Sequence, residues 1–513
     1  MSLLPHNLDN LVLTALEVMA ALFIVAVGTG LLVSIVLYLV DRFQTRHTIR
    51  RNYPLVGRFR YLLEHLGEFF RQYFFAMDRE EQPFNRAVRS WAYRAAKNID
   101  STVAFGSTRD LSRPGGFLFA NAPYPTLDED AALPAALMIG PQCRHPYLAE
   151  SLVNISGMSF GALSKPAIQA LSQGAKLAGC WLNTGEGGLS PWHLEGGCDL
   201  VFQIGTAKYG VRDAEGHLSD DKLRHVAAYD QVRMFEIKLS QGAKPGKGGI
   251  LPGAKVTEEI AAVRGIPVGE PSISPNRHPE IANADDLLDM IDRVRSVTGK
   301  PTGFKAVLGH PRWLDELCTA IVARGPASAP DFITVDSADG GTGAAPMSLM
   351  DDVGLPLRES LPLLVDKLIE HGLRERVRII SSGKLVTPAQ CAWAICMGTD
   401  FIVTARGFMF SLGCIQAMQC NKNTCPTGIT THDPRLQRGL VTSDKSVRVA
   451  NYERNLEYEI GLIAHSCGVT EPRQLTRAHV RLVTEHGRSV GFDELYPTPQ
   501  PREMPVERLA HRG

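Results

Sequence analysis

The chain has 513 residues, and its 54 lysines and arginines are matched by 54 aspartates and glutamates. That balance excludes binding to nucleic acid driven by net charge, and it gives no reason to expect an acidic partner. The ordinary apolar fraction, 44%, is enough for one large core with appendages or for two or three domains.

The first element is apolar. Residues 18–40 contain no charged side chain and are dominated by Leu, Val, Ala and Ile. A helix of that length crosses the hydrocarbon core with some tilt. Arg42, Arg46, Arg50, Arg51, Arg58 and Arg60 follow it, whereas Asp9 and Glu17 precede it without any lysine or arginine. This asymmetry predicts a single-pass membrane anchor over 1–41 with the bulk of the chain on the cytoplasmic side. A cleaved signal peptide needs a basic start, which is absent, and a buried soluble helix is the remaining competitor.

Residues 42–100 read as a helical linker. Tyr61, Leu62, Leu66, Phe69, Phe70 and Phe74 recur at helical spacing with Glu64, Glu68 and Arg71 between them. Packing of this stripe on the main domain is expected, with a membrane interface or a partner as alternatives. A second helix is expected over 84–98, carrying Trp91 and Tyr93.

From about residue 150 short apolar runs end in Gly, Ser or Asp clusters and alternate with helical patterns such as 285–297 and 388–397. The expected strands are 152–155, 181–184, 234–239, 272–274, 303–308, 332–335, 377–380 and 401–404. Eight alternating units predict an α/β fold, a closed (β/α)8 TIM barrel. Its domain is expected over 101–470, behind the transmembrane helix and the helical segment. Residues 471–513, rich in Arg, Glu and Pro, read as a peripheral tail.

The loops after these strands hold the chemistry-bearing residues: 157–159, 185–188, 241–249, 339–343 and Gly383. In such barrels a phosphate commonly sits after strands seven and eight. Here those loops are Ser381-Ser382-Gly383-Lys384 and Thr404-Ala405-Arg406-Gly407, each with a glycine and a cation. Lys305 lies inside an apolar strand, where an unpaired ammonium is costly. One use for it is to stabilise negative charge on a reduced flavin.

Cys414, Cys420 and Cys425 fall in one run with the spacing C-x5-C-x4-C and a proline after the last. Crowded cysteines followed by proline suit an iron–sulfur centre, and three ligands point to a three-iron cluster or to a fourth ligand from elsewhere. A zinc site usually wants two close pairs. Buried structural thiols are the alternative. The other seven cysteines are scattered and suggest no disulfide framework, as in an intracellular protein.

Five runs in order resemble the flavin-binding synthase domain of the glutamate synthase family. They are Ile-Ser-Gly-Met-Ser-Phe-Gly-Ala-Leu-Ser (155–164), Asn-Thr-Gly-Glu-Gly-Gly (183–188), the run from Glu236 to Gly253, Asp-Gly-Gly-Thr-Gly-Ala-Ala-Pro (339–346) and the cysteine run (413–428). The resemblance covers roughly 100–440. It implies FMN, a 3Fe–4S cluster and 2-oxoglutarate. It puts Gly157, Met158, Ser159, Gln203, Lys305, Gly341 and Gly343 at the flavin, and Gly383 and Arg406 at its phosphate. It puts Glu186, Gln241, Lys244 and Arg264 around the keto acid, and Cys414, Cys420 and Cys425 on the cluster. Lys244 and Arg264 could each hold one carboxylate, and Glu186 could position ammonia or move a proton.

The expected activity is reductive amination of 2-oxoglutarate to L-glutamate, an oxidoreductase reaction of the CH–NH2 class. No glutaminase or dinucleotide-binding domain is recognised. Ammonia or another amine is therefore expected from outside or from a glutaminase subunit, and electrons from a ferredoxin or a reductase subunit. The run 274–278 departs from the family's histidine-containing run. Alternatives are an N-methylglutamate synthase-type enzyme, another FMN amine or 2-hydroxy-acid dehydrogenase, and a non-catalytic flavin relay.

Overall fold

A computed structural model describes residues 6–502, so the expectations for 1–5 and 503–513 lie outside the described residues. The chain forms two compact units, one ending at Ala87 and the other starting at Val88.

The first unit is helical. Helix α1 (His6–Phe43) is followed by α2 (Thr48–Asn52) and α3 (Val56–Phe70), with a π-helical turn at Arg71–Phe75. Among the described residues α1 is the one helix long and apolar enough to cross a membrane, over Asn10–Phe43. Nothing among this unit's described residues covers the aromatic stripe. Leu62, Leu66, Phe69, Phe70 and Phe74 are all exposed. Helical spacing reveals that a helix has an apolar face but not what covers that face.

The second unit is built on eight parallel strands closed into a barrel. They are β1 (Val153–Ile155), β2 (Leu182–Asn183), β3 (Leu200–Ile204), β4 (Val232–Lys238), β5 (Thr302–Val307), β6 (Phe332–Asp336), β7 (Arg378–Ser382) and β8 (Phe401–Thr404). Each pairs with the next in sequence, and β8 pairs with β1. Seven of the expected strands are in the barrel, and the one over 272–274 is not. Ser272–Ile273 instead forms an antiparallel pair with Ile250–Leu251. The missing barrel strand is β3, fully buried despite Gln203. Only the four-residue helix Pro191–Leu194 separates it from β2, so the usual long helical pattern gives no warning of a new unit.

Sequence signals fix the surrounding helices. Lys165–Ala178 starts at Ser164, whose hydroxyl accepts from the Ala167 amide, and ends at Gly179 in the left-handed region. Ala284–Thr298 starts at Asn283 and ends at Gly299 in the same way. The 25-residue helix Thr442–Ser466 packs on Lys165–Ala178 so closely that a Cβ on Gly174 would lie 2.5 Å from the Val449 side chain.

The N-terminal ends of the strands meet an apolar floor. Trp181, Phe332 and Phe401 join Ile139, Tyr147 and Ala149 from the hairpin Leu137–Ile139/Tyr147–Ala149. Trp181 stacks edge-on to Phe401 at 5.1 Å between centroids. This floor leaves the opposite, loop-bearing end for polar groups. Within the stretch read as a tail, Val480–Val483 and Ser489–Gly491 pair with each other, and the first also pairs with Phe117–Phe119.

Candidate functional site

The upper half of the barrel is polar because alternate residues of several strands point inward. Glu236 on β4 is buried and its carboxylate accepts three hydrogen bonds. They come from Asn183 (2.8 Å), Gln203 (2.6 Å) and Thr334 (2.6 Å). One layer higher, the Lys305 ammonium on β5 lies 3.1 Å from the Asp336 carboxylate on β6. Asp336 also accepts the Gly242 amide at 3.0 Å. Burial alone drives a lysine towards neutrality. Here the charges of Asp336 and Glu236 and the Asp336 hydrogen bond outweigh it, and the Lys305 pKa is raised.

Above this layer lies a cavity of about 1340 Å3, part of it open to solvent. It brings together Gly157, Met158, Ser159, Glu186, Gln203, Gln241, Lys244, Arg264, Lys305, Gly341, Gly343, Gly383 and Arg406, every residue expected at the flavin or the keto acid. Seven cationic side chains line it against two carboxylates, Glu186 and Asp336. Such an excess of positive charge in a partly enclosed space favours anionic ligands.

Glu186 follows β2 and meets the Lys238 ammonium from the end of β4 at 3.0 Å. The same amine donates to the Gln241 side-chain oxygen. Burial pushes the Glu186 carboxyl up, but the charges of Lys238, Lys244 and Arg264 and the Lys238 hydrogen bond bring it down to about 2. Glu186 is therefore ionised at neutral pH. Lys244 is buried without an ion pair among the described residues. Its pKa falls to about 8 because burial outweighs the attraction of Glu186.

Arg264 ends the helix Glu258–Arg264, which starts at Thr257 and closes at Gly265 in the left-handed region. It donates to Ser159 Oγ and the Phe160 carbonyl, each at 3.2 Å, and lies over the Tyr209 ring at 5.2 Å. Its Nε is buried with no hydrogen-bond partner. On the far wall Gly383 follows β7 with φ of 109°, a conformation that suits glycine. Arg406 follows β8, donates to the Thr342 carbonyl at 2.6 Å and lies against Gly341.

The three cysteines sit beside this cavity. Cys414 and Cys425 are buried, and Cys420 is half-buried and lines the cavity. Burial pushes the Cys425 thiol up, but hydrogen bonds from Thr427 and Thr430 outweigh it and its pKa is lowered. Cys414 is held above the usual thiol range by burial, with Arg406 opposing. Among the described residues no three His, Cys, Asp or Glu side chains converge tightly enough to hold a single metal ion.

The cysteine loop is tied to the loop after β1 twice. His432 Nε2 meets the Gly161 carbonyl at 2.8 Å, and the buried Lys255 ammonium donates to the Ala162 carbonyl at 2.9 Å and the Cys420 carbonyl at 3.2 Å.

A family model described as the conserved region in glutamate synthase matches residues 126–470. The chain belongs to the glutamate synthase family. A glutamate synthase large subunit-like protein, YerD, of Bacillus subtilis (strain 168) is 39% identical over 498 residues, covering 90% of this chain and 94% of that one. An archaeal-type glutamate synthase (NADPH) of Thermotoga maritima is 34% identical over 345 residues, covering 67% of this chain and 63% of its own length. A glutamate synthase large subunit-like protein of Rhizobium meliloti (strain 1021) is 28% identical, with 73% and 85% covered.

Sequence reasoning missed Lys238, Glu236, Asp336 and Lys255. The first two had a legible signal. Residues two apart on a strand share a face, so Glu236 and Lys238 both enter the barrel once β4 is assigned.

Proposed function

We propose that this chain is an FMN- and iron–sulfur-dependent oxidoreductase that converts 2-oxoglutarate and externally supplied ammonia into L-glutamate. The observation that carries the reading is the cavity's seven cations against two carboxylates, with Lys244 and Arg264 facing the ionised Glu186. The residues present fit a flavin mononucleotide. Gly157, Met158 and Ser159 offer backbone to a flat ring, Lys305 offers a fixed positive charge, and Gly341, Gly343, Gly383 and Arg406 suit a phosphate. Three thiols at one end, one with a lowered pKa, suit iron–sulfur ligation. When bound, the flavin supplies the hydride and the cluster supplies electrons one at a time.

The protein's own groups do the rest. Lys244 and Arg264 bind the two carboxylates of the keto acid. Arg264 has an unmatched buried Nε that an anion would satisfy. Glu186 stays anionic and accepts N–H groups of the entering ammonia and of 2-iminoglutarate, holding that carbon in line for reduction. Gln241, linked to Lys238 and to Thr342 Oγ1 at 3.2 Å, positions the carboxylate end. Ammonia condenses with the ketone and expels water. A hydride to carbon and a proton to nitrogen then give glutamate, the proton coming from the protonated Lys244.

In this reading α1 is a single-pass anchor, 42–100 a helical connection, 101–470 the synthase barrel and 471–513 its C-terminal extension, with the barrel cytoplasmic. A ferredoxin or a reductase subunit supplies the electrons. The test is reoxidation of chemically reduced enzyme with 2-oxoglutarate plus ammonium, with 2-oxoglutarate plus methylamine, and with neither. Glutamate formed only in the first arm supports the reading, whereas faster turnover with methylamine transfers it to N-methylglutamate chemistry. No reoxidation in either arm, by yellow and iron-loaded protein, would refute it.

A further inference from the structure

Helix α3 is built inside out. On a helical wheel Phe59, Leu62, Leu63, Leu66, Phe69 and Phe70 fall on one broad stripe, and Arg58, Arg60, Glu64, His65 and Glu68 fall on the other side. In a helix packed on its own protein the apolar stripe is the covered one. Here all six of those apolar side chains are exposed, between 36% and 65%.

The contacts that hold α3 to its own unit come from its polar side. Asp41, near the end of α1, is 1% exposed and forms a two-pronged pair with Arg58, at 2.7 and 2.8 Å. It also accepts the Leu55 amide at 3.2 Å. The Tyr61 ring receives the Arg50 guanidinium at 4.7 Å and the edge of His47 at 5.3 Å. Gly57 lies against α2 so closely that a Cβ there would come within 2.9 Å of the Ile49 carbonyl. Polar contacts thus fix α3 at the end of α1 and turn its apolar stripe outwards.

We infer that α3 is a second membrane element, an interfacial helix whose apolar stripe is immersed at the headgroup–acyl boundary of the leaflet from which α1 emerges. The inference rests on the reading of α1 as a span. Helices with Phe and Leu on one side and charges on the other lie in this plane, sunk roughly 5–10 Å below the headgroups. Three features of the unit favour lipid over a protein occupant. The stripe continues beyond α3 through Tyr73, Phe74 and Phe75, all exposed, so an aromatic belt of the kind enriched at membrane surfaces runs along it. Arg42 in the last turn of α1, and Arg46, Arg50 and Arg51 between α1 and α3, suit anionic headgroups. The Asp41–Arg58 pair ties the helix to the point where the span ends, the depth at which a headgroup boundary lies. Two membrane contacts on one unit would hold the chain at the surface and restrict rotation about the span.

The test is photocrosslinking of the full-length chain in vesicles of phosphatidylcholine and phosphatidylglycerol. A benzophenone amino acid is introduced singly at Leu62, Phe69, Glu64 and, inside the span, Val33. The expected result is lipid adducts from Leu62 and Phe69 at least about fivefold above those from Glu64, with Val33 also adducting lipid. Arg58→Gln should reduce the Leu62 and Phe69 adducts and leave those at Val33 unchanged. Lipid adducts at Val33 combined with crosslinks from Leu62 and Phe69 to protein, another copy of the chain included, would overturn the inference and leave the span intact. Absence of lipid adducts at all four positions would overturn both.

Discussion

The Lys238 ammonium sits 3.0 Å from the Glu186 carboxylate, and among the surrounding cations it does most to keep that carboxylate ionised. Burial opposes a charged Glu186, yet its pKa lies near 2 because three cations surround it, with Lys238 foremost. In Lys238→Gln only Lys244 and Arg264 remain to hold the charge. The Glu186 pKa then rises, and the acid limb of the kcat/KM profile for 2-oxoglutarate amination should move up by about 1 to 2 pH units. An acid limb that does not move in folded, flavin-loaded variant would assign the ionisation to other groups.

Lys244 and Lys305 are both buried lysines with opposite fates. Lys305 has Asp336 at 3.1 Å and keeps its proton, whereas Lys244 has no such partner and titrates near 8. The folded pKa of Lys244 lies below its ordinary 10.5, so the unfolded chain binds more protons between about 8 and 10.5. Stability therefore rises with pH through that window, and the full penalty applies below it. Replacing the lysine by an apolar residue removes a penalty on the order of a few kcal/mol at neutral pH. Lys244→Met should accordingly melt at a higher temperature at pH 7 while losing roughly 100-fold or more in 2-oxoglutarate affinity. In the unmodified enzyme, affinity should weaken as pH rises past 8 because the bound dianion needs the protonated amine. A lower melting temperature with unaltered substrate affinity would contradict both halves of this argument.

These two pairs show what the sequence made legible and what it did not. Glu186 comes from the loop after β2, and Lys244 and the helix-borne Arg264 from the connection after β4, yet the resemblance was enough to group them, because segments after parallel strands converge at one end of a barrel. Lys238 was passed over because a lysine at the end of an apolar run also looks like a surface terminus. β3 was missed because the connection before it is too short to show a helical period. For α3 the amphipathic spacing was plain, but its outward direction depends on Asp41 reaching Arg58 across 17 positions, and no local pattern encodes such a contact.

Gly174 allows the helix Lys165–Ala178 to lie against Thr442–Ser466, and a methyl group there would collide with Val449 at 2.5 Å. The Ser446 backbone carbonyl, 2.7 Å from the added methyl, leaves little room to relax. Gly174→Ala should cost about 1–3 kcal/mol and lower the melting temperature by several degrees. Adding Val449→Ala removes Cγ1, one of the two Val449 atoms at 2.5 Å, while Cβ and the Ser446 carbonyl stay. The double variant should then be less destabilised than the sum of the single changes, since the two residues share one contact. Strict additivity in thermal unfolding would mean that the helices do not meet at this point in solution.

Cys414, Cys420 and Cys425 can be told apart from structural thiols by a comparison with Cys391. Cys391 is also buried, its thiol pushed well up by burial alone, and it lies in the apolar helix Pro388–Cys396. Cys425, by contrast, is drawn towards the thiolate by hydrogen bonds from Thr427 and Thr430, and the thiolate is the form that ligates iron. Protein reconstituted with iron and sulfide without oxygen should bind iron and show broad visible absorbance beyond that of the flavin. Cys420→Ser and Cys425→Ser should lose that absorbance and the bound iron, while Cys391→Ala keeps both. Flavin should stay bound in all three, because Gly383 follows β7 and Arg406 lies on the helix Arg406–Ser411 ahead of the cysteine run, so neither residue suited to its phosphate is altered. Retention of iron in Cys420→Ser and Cys425→Ser would return these thiols to a packing role and assign the iron to other ligands.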